Sequence, residues 1–379
     1  MIYNLLYPYV DAWPLLNVLR YPSFRITMAG LTALMVSLFL GPWFIRQLRV
    51  AQHGKDTVRE DTPESHQEKQ GTPSMGGVLI LISLLLGTLL WADLRSRLVW
   101  TVVMVTFSFG VIGFLDDWTK FRNKSKGLSG KMRLALEFGL AGLFLLIFNT
   151  DLDLTVVSEF PWVLVGYGID THVALPFVGT HLFNPDLGWL YPFLALGVIV
   201  GTANGTNLTD GLDGLAIGPS IVAAMTWLVL AYVAGTVLSG FNLAEYLYIP
   251  HIDGASELSV YCAALAGAGI GFLWYNTYPA SVFMGDVGSL ALGGGLGTLA
   301  ILTKNELVSA IVHGLFLLEA LSVIVQVGSF KLTGKRVFRM APIHHHFELK
   351  GWQEPKIIVR AWVISIMFAL IALAGLKLR

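Results

Sequence analysis

Residues 98–122, LVWTVVMVTFSFGVIGFLDDWTKFR, decide how the chain is read. An unbroken apolar run over 98–115 approaches the ~20 residues that a membrane-spanning helix requires. It ends on two adjacent carboxylates, Asp116 and Asp117. A carboxylate beside hydrocarbon is costly unless it is paired or bound to a cation, so the end of this run is a candidate site as well as a helix boundary.

Outward from this run, comparable apolar runs fall near 24–45, 76–92, 134–149, 190–206, 215–235, 258–275, 287–303, 306–329 and 357–377, which makes ten expected helices. Hydrophobic residues are 55% of 379 positions and DEKR only 13%, and the mean hydropathy is +0.66. Soluble domains carry about 25% charged residues, so a soluble fold is excluded. No polar segment is long enough for a separate core, and residues 1–379 read as one all-α polytopic membrane domain. The N-terminal MIYNLLYPYVDAWPLLNVLRYPSFR reads as an interfacial segment with aromatic anchors, not a cleaved signal. The single cysteine, Cys262, excludes an intrachain disulfide and a cysteine metal site. The short basic loops give no feature expected of nucleic-acid binding.

With ten spans the connecting segments fall into two sets. The set 46–75, 116–133, 207–214, 276–286 and 330–356, with Arg360, holds 18 of the 25 Lys and Arg and is cytoplasmic by the positive-inside rule. Both termini and the stretches 150–189 and 236–257 are then expected to face outward. No Lys or Arg lies between Leu134 and Thr303, so only helix counting orients 207–214 and 276–286. The stretch 150–189 alternates β-branched, aromatic and glycine residues and is expected to form a small periplasmic β-hairpin.

The acidic residues of the cytoplasmic set gather in three motifs: Asp116 and Asp117 in GFLDDWTK, Asp210 and Asp213 in NGTNLTDGLDGLA, and Asp286 in FMGDVGSLALGGG. Any one of them reads as a helix cap. Five on one expected side, among glycines that let backbone approach a ligand, point to function. Asp and Asn oxygens without cysteine suit Mg²⁺ or Mn²⁺ better than zinc. Lys69 before GTPSMGG and Lys131 in GLSGKMR adjoin Gly/Ser/Thr-rich turns and fit a phosphate site, whereas Lys120, Arg122, Lys124 and Lys126 read as positive-inside bias. His344, His345 and His346 in APIHHHFE diverge by about 100° on a helix, so they cannot together ligate one metal. Contact of one or two with phosphate or sugar and a plain surface turn stay as alternatives. Glu137 and Glu319 lie within spans as interhelical hydrogen bonders or groove residues. AGAGIG at 266–271 and GGGLG at 293–297 read as close helix packing.

Taken in order, GTPSMGG, GFLDDWTK, GLSGKMR, NLTDGLDGLA, FMGDVGSLALGG and PIHHHFE closely resemble the phospho-N-acetylmuramoyl-pentapeptide transferases. These belong to the polyprenyl-phosphate N-acetylhexosamine-1-phosphate transferases, and the trihistidine loop is what points to the muramoyl branch. The resemblance implies transfer of phospho-N-acetylmuramoyl-pentapeptide from its UDP carrier to undecaprenyl phosphate, with Mg²⁺, giving lipid I and UMP. It also implies a homodimer in the bacterial inner membrane with its active site on the cytoplasmic face. By motif, Asp116 and Asp117 match the paired catalytic aspartates and Asp286 the Mg²⁺-contacting one. Asn207, Asp210 and Asp213 match the active-site NLTDGLDGLA segment. Lys69, Asn276 and Phe283 match nucleoside-recognition positions, and Lys131 and His344 to His346 match phosphate and sugar contacts. Ser74 stands where the family commonly has Thr and keeps the hydroxyl.

A phosphate monoester has a second pKa near 6, so the carrier is mostly dianionic at pH 7 and Asp116 need not be a base. Direct attack and a phospho-aspartate route both fit the sequence. Two competing readings are a UDP-N-acetylglucosamine:undecaprenyl-phosphate transferase, against which the histidines count, and a secondary transporter, whose ion site belongs near the midplane.

Overall fold

The computed structural model describes residues 1–52, 71–122, 127–149, 170–238 and 240–378. Lys69 and residues 150–169 of the expected outer hairpin lie outside them. Among the described residues the fold is almost wholly helical. Its long helices are α1 (Pro22–Ala51), α2 (Gly77–Trp91), α3 (Arg97–Arg122), α4 (Gly130–Asn149) and α5 (Tyr191–Thr209). They continue as α6 (Ile217–Gly235), α7 (Leu258–Asn276), α8 (Gly285–Leu302), α9 (Gly314–Thr333) and α10 (Glu354–Ala374).

Each helix lies over one of the apolar runs. Seven of them, α1, α3, α6, α7, α8, α9 and α10, are long and apolar enough to cross a membrane, which makes the protein a multi-pass membrane protein. Helix α2 is shorter, α4 carries Arg133 and Glu137, and α5 ends in the polar TANGTNLT. The run 306–329 differs from expectation by being broken. A short helix, Glu306–Val312, precedes α9, and His313 stands at the break. The imidazole of His313 is held on both sides: Trp227 Nε1 donates to Nε2 at 2.9 Å, and Thr202 Oγ1 lies 3.2 Å from Nδ1.

Helix α8 is the central post, buried on every side from Val287 to Leu302. Its glycines make that possible. A Cβ on Gly293 would stand 2.5 Å from Ala203 Cα of α5, and one on Gly294 2.8 Å from the Phe109 ring of α3. The same device joins α7 to α1, where a Cβ on Gly267 would meet Gly30 O at 2.1 Å. Hydrocarbon supplies no hydrophobic drive for association, so helices that touch through glycine gain dispersion contact instead. Both small-residue runs therefore act as packing surfaces.

Among the described residues, regular strand is confined to β1 (Val237–Leu238) and β2 (Phe241–Asn242), paired antiparallel with Val237 opposite Asn242. Within 170–189 a single antiparallel bridge joins His172 and Asp186. The N-terminal segment folds as a short helix, Ile2–Leu6, followed by 3₁₀ turns at Tyr7–Tyr9 and Pro14–Arg20. It is fastened to the α2–α3 connection by Asn4, which donates to Asp93 at 2.7 Å and accepts from Leu94 N at 2.9 Å.

Candidate active site

Asp116 and Asp117 sit in the closing turns of α3, both buried. They meet the start of α8 because α3 and α8 touch backbone to backbone: a Cβ on Gly113 would lie 2.1 Å from Asp286 O. Helix α8 itself opens on Gly285, whose φ of +74° favours glycine, and this turn sets Asp286 in the first helical turn. The segment before it is tied to the GTPSMGG turn by backbone bonds. Phe283 N donates to Pro73 O, Gly76 N to Phe283 O and Gly77 N to Met284 O, each at 2.8 Å. Ser74 is fixed from the end of α1, since its N–H donates to Gln52 Oε1 at 3.0 Å and its carbonyl accepts from Gln52 Nε2 at 3.1 Å.

The result is a cluster in which one carboxylate oxygen from each of Asp116, Asp117 and Asp286 lies within 4.8 Å of the others. Among the described residues this is the group of acidic or histidine side chains with metal-holding spacing. Each is also anchored separately. Asp116 accepts from Leu128 N at 2.6 Å, Asp117 from Val287 N at 3.2 Å and Asp286 from Asn207 Nδ2 at 2.8 Å. Lys120 stands among them, with Nζ 2.6 Å from Asp116, 2.6 Å from Asp286 and 3.6 Å from Asp117. Arg133 of α4 reaches Asp286 at 3.4 Å. Three close carboxylates repel one another, and an ammonium group among them shows that the space takes a cation. Hard oxygen ligands at this spacing fit Mg²⁺.

Around this centre the other motif residues fall into two groups. Asp210, just past the end of α5, bonds to the Gly285 backbone, and desolvation beside Asp286 and Asp117 pushes its carboxyl well above the usual carboxylate range. Asp213 and Asn276 instead brace the loops. Asp213 accepts from Ala280 N at 2.9 Å. Buried Asn276 accepts from Gly214 N at 3.0 Å and donates to Val282 O at 2.9 Å. These bonds clamp Asp213 and Gly214 to the 276–282 segment, which leads into half-buried Phe283 three residues before Asp286.

The three histidines lie on the short helix Ile343–Glu348 and diverge as helical spacing requires. His344 is buried, its Nδ1 3.1 Å from Glu319, and its Nε2 is packed against Gly211. His345 pairs with Glu348 at 2.6 Å, and His346 accepts from Arg339 N at 3.1 Å. The trihistidine motif thus reaches the site through His344 and the 210–214 loop.

The cations on the aspartates, among the described residues, are Lys120 and Arg133, while Lys131 is exposed at the start of α4. Sequence reasoning set Lys120 aside as topological charge. Its signal was present, since it lies four residues after Asp116 and three after Asp117 on one helix face. Arg133 and Glu137 share the same i,i+4 spacing, whereas Asn204 on α5 and the reach of Arg133 to Asp286 had no local signature.

The chain matches the sequence pattern of glycosyl transferase family 4 over residues 99–304 and a phospho-N-acetylmuramoyl-pentapeptide-transferase signature over 69–81, a stretch that begins at Lys69. It is 62% identical over 381 residues, 100% of both chains, to the phospho-N-acetylmuramoyl-pentapeptide-transferase of Anaeromyxobacter sp. (strain K). The protein of the same description from Myxococcus xanthus (strain DK1622) is 56% identical over 97% of each chain. That of Syntrophus aciditrophicus (strain SB) is 55% identical over 100% of each.

Proposed function

The chain belongs to glycosyl transferase family 4, in its phospho-N-acetylmuramoyl-pentapeptide-transferase branch, and on that premise we infer how its cluster of aspartates works. The protein transfers phospho-N-acetylmuramoyl-pentapeptide from its UDP carrier to undecaprenyl phosphate, making lipid I for peptidoglycan and releasing UMP. One observation carries the chemical reading: three anchored carboxylates and two cations meet at one end of a membrane bundle. An enzyme that joins a lipid phosphate to a soluble diphosphate needs such a place, where negative groups are brought together and neutralised.

In this reading an oxygen of the carrier phosphate forms a bond to the sugar-linked phosphorus of the donor. The bond from that phosphorus to the bridging oxygen breaks, and UMP leaves with the electron pair. Asp116, Asp117 and Asp286 would hold Mg²⁺, which when bound supplies charge neutralisation for the diphosphate and the leaving UMP. Lys120 and Arg133 add positive charge beside it, and Asn207 orients Asp286. Phe283 offers a ring for the uracil, on a segment whose backbone is bonded to Pro73, Gly76 and Gly77. The close match to the muramoyl branch over the full chain favours it over the glucosamine transferase and the transporter.

The finer topology belongs to the same reading. All ten long helices cross the membrane, the aspartates lie on the cytoplasmic side where 18 of the 25 Lys and Arg fall, both termini face the periplasm, and two copies pair as a homodimer in the inner membrane. The test uses protein purified in detergent with undecaprenyl phosphate and Mg²⁺, with the muramoyl-pentapeptide and N-acetylglucosamine nucleotides offered separately. UMP release from the muramoyl donor alone, abolished by EDTA and restored by Mg²⁺, is expected. Turnover that survives EDTA would overturn the metal assignment, and turnover of the glucosamine donor alone would overturn the substrate.

A further inference from the structure

We propose that Glu137, a carboxylate fully enclosed in the bundle, is a positioning residue of the transferase site that acts through Arg133. The inference rests on the reading that Arg133 neutralises donor phosphate beside Asp286.

Glu137 lies one helical turn after Arg133 on α4, so both project from the same face. Its Oε1 faces Arg133 Nε at 3.5 Å, an ion-pair separation and not a hydrogen bond. Its Oε2 accepts from Nδ2 of Asn204 on α5, which also donates to Val200 O at 3.0 Å. The Asn204 carbonyl oxygen in turn accepts from Arg133 NH2 at 3.3 Å. The three side chains close a ring. A guanidinium is planar and rigid, so the ion pair on its Nε side and the hydrogen bond at NH2 together aim the remaining nitrogen. That nitrogen, NH1, lies 3.4 Å from Asp286 Oδ2.

The Glu137 side chain is 0% exposed, whereas Arg133 is 22% and Asp286 15% exposed, so the ring is closed on the Glu137 side and open on the side of the site. A tie between α4 and α5 alone would need only the Glu137–Asn204 bond. It gives no reason to aim NH1 of Arg133 at the carboxylate cluster. A buried, unpaired carboxylate is costly, and here the cost is offset by the two groups whose geometry the site uses.

The test is a double-substitution cycle on the full-length protein in detergent, with kcat and KM for the nucleotide donor measured for Glu137→Ala, Glu137→Gln, Arg133→Ala and the Glu137→Ala/Arg133→Ala pair. Glu137→Ala is expected to lower kcat/KM on the order of tenfold, with Glu137→Gln in between, because its amide still meets Asn204. Once Arg133 is replaced, Glu137→Ala should cost nothing further. The same factor lost in both backgrounds, or full kcat/KM in folded Glu137→Ala, would overturn the proposal. Should Glu137→Ala not fold, Glu137→Gln and Arg133→Lys close the same cycle. An inactive wild type would instead sink the transfer reading, and this inference with it.

Discussion

Charge is buried at both ends of the helical bundle, and the two ends treat it differently. Far from the aspartates, Arg25 at the start of α1 lays two nitrogens on the two oxygens of Glu257, and Glu306 takes the Tyr191 hydroxyl and Lys304. Each acid there has its own cation, and the groups lock the N-terminal segment and the loops to the helix ends. At the other end three carboxylates share Lys120 and Arg133. Burial of charge is thus common to a fastening and to a reaction centre. What separates them is sharing, because a cation shared by three acids leaves negative charge that only a further cation or a phosphate-bound metal can complete.

That contrast breaks first, if it is to break, at Asp286. Asp286→Asn is expected to lower turnover about 10³-fold while thermal stability in detergent holds or rises, since one repelling charge is gone. A variant that keeps most of its rate would place this cluster in the same class as the opposite end. Lys120→Met should cost about 10²-fold in kcat. The same variant sharpens the comparison by calorimetry. Mg²⁺ should raise its Tm more than it raises that of the wild type, because no ammonium competes for the carboxylates; an equal rise would separate Lys120 from the metal position.

At the far end the signs reverse. Arg25→Met should remove about 3 kcal/mol of stability by leaving Glu257 unpaired, with UMP release per folded molecule unchanged. A fall in rate without a fall in Tm would show that the fastening reaches the chemistry. The smallest effect is expected from Tyr191→Phe, about 1 kcal/mol read as a Tm shift, with kcat and KM for the donor both unaltered.

The apolar runs carried the helices, because a membrane span is written in consecutive residues and needs no partner to be recognised. Asp116, Asp117 and Asp286 were legible as candidates for a related reason: each stands where hydrocarbon gives way to glycine-rich backbone. The break at His313 was not legible, since it depends on Trp227 and Thr202 from other helices. Nor was the division of labour within NLTDGLDGLA, where Asp210 faces the cluster and Asp213 braces a loop. Lys120 shows how two readings of one residue compete. Its place in a basic loop announced topology, and that reading hid the helical spacing that puts it on both aspartates. Arg133 stands one turn from Glu137, but its contacts to Asn204 and Asp286 join three helices and leave no trace in local spacing.

The contact between Gly113 and Asp286 bears on how the protein meets different lipids. Side chains packed in hydrocarbon can repack when a bilayer thickens, thins or changes its acyl composition, and the distance between two helices drifts with them. At the Gly113–Asp286 contact there is no side chain to repack. The gap between the paired aspartates and the third is a dimension inherited from atomic radii, insulated from the solvent around it, so one reaction geometry can be carried unchanged through membranes of different make-up.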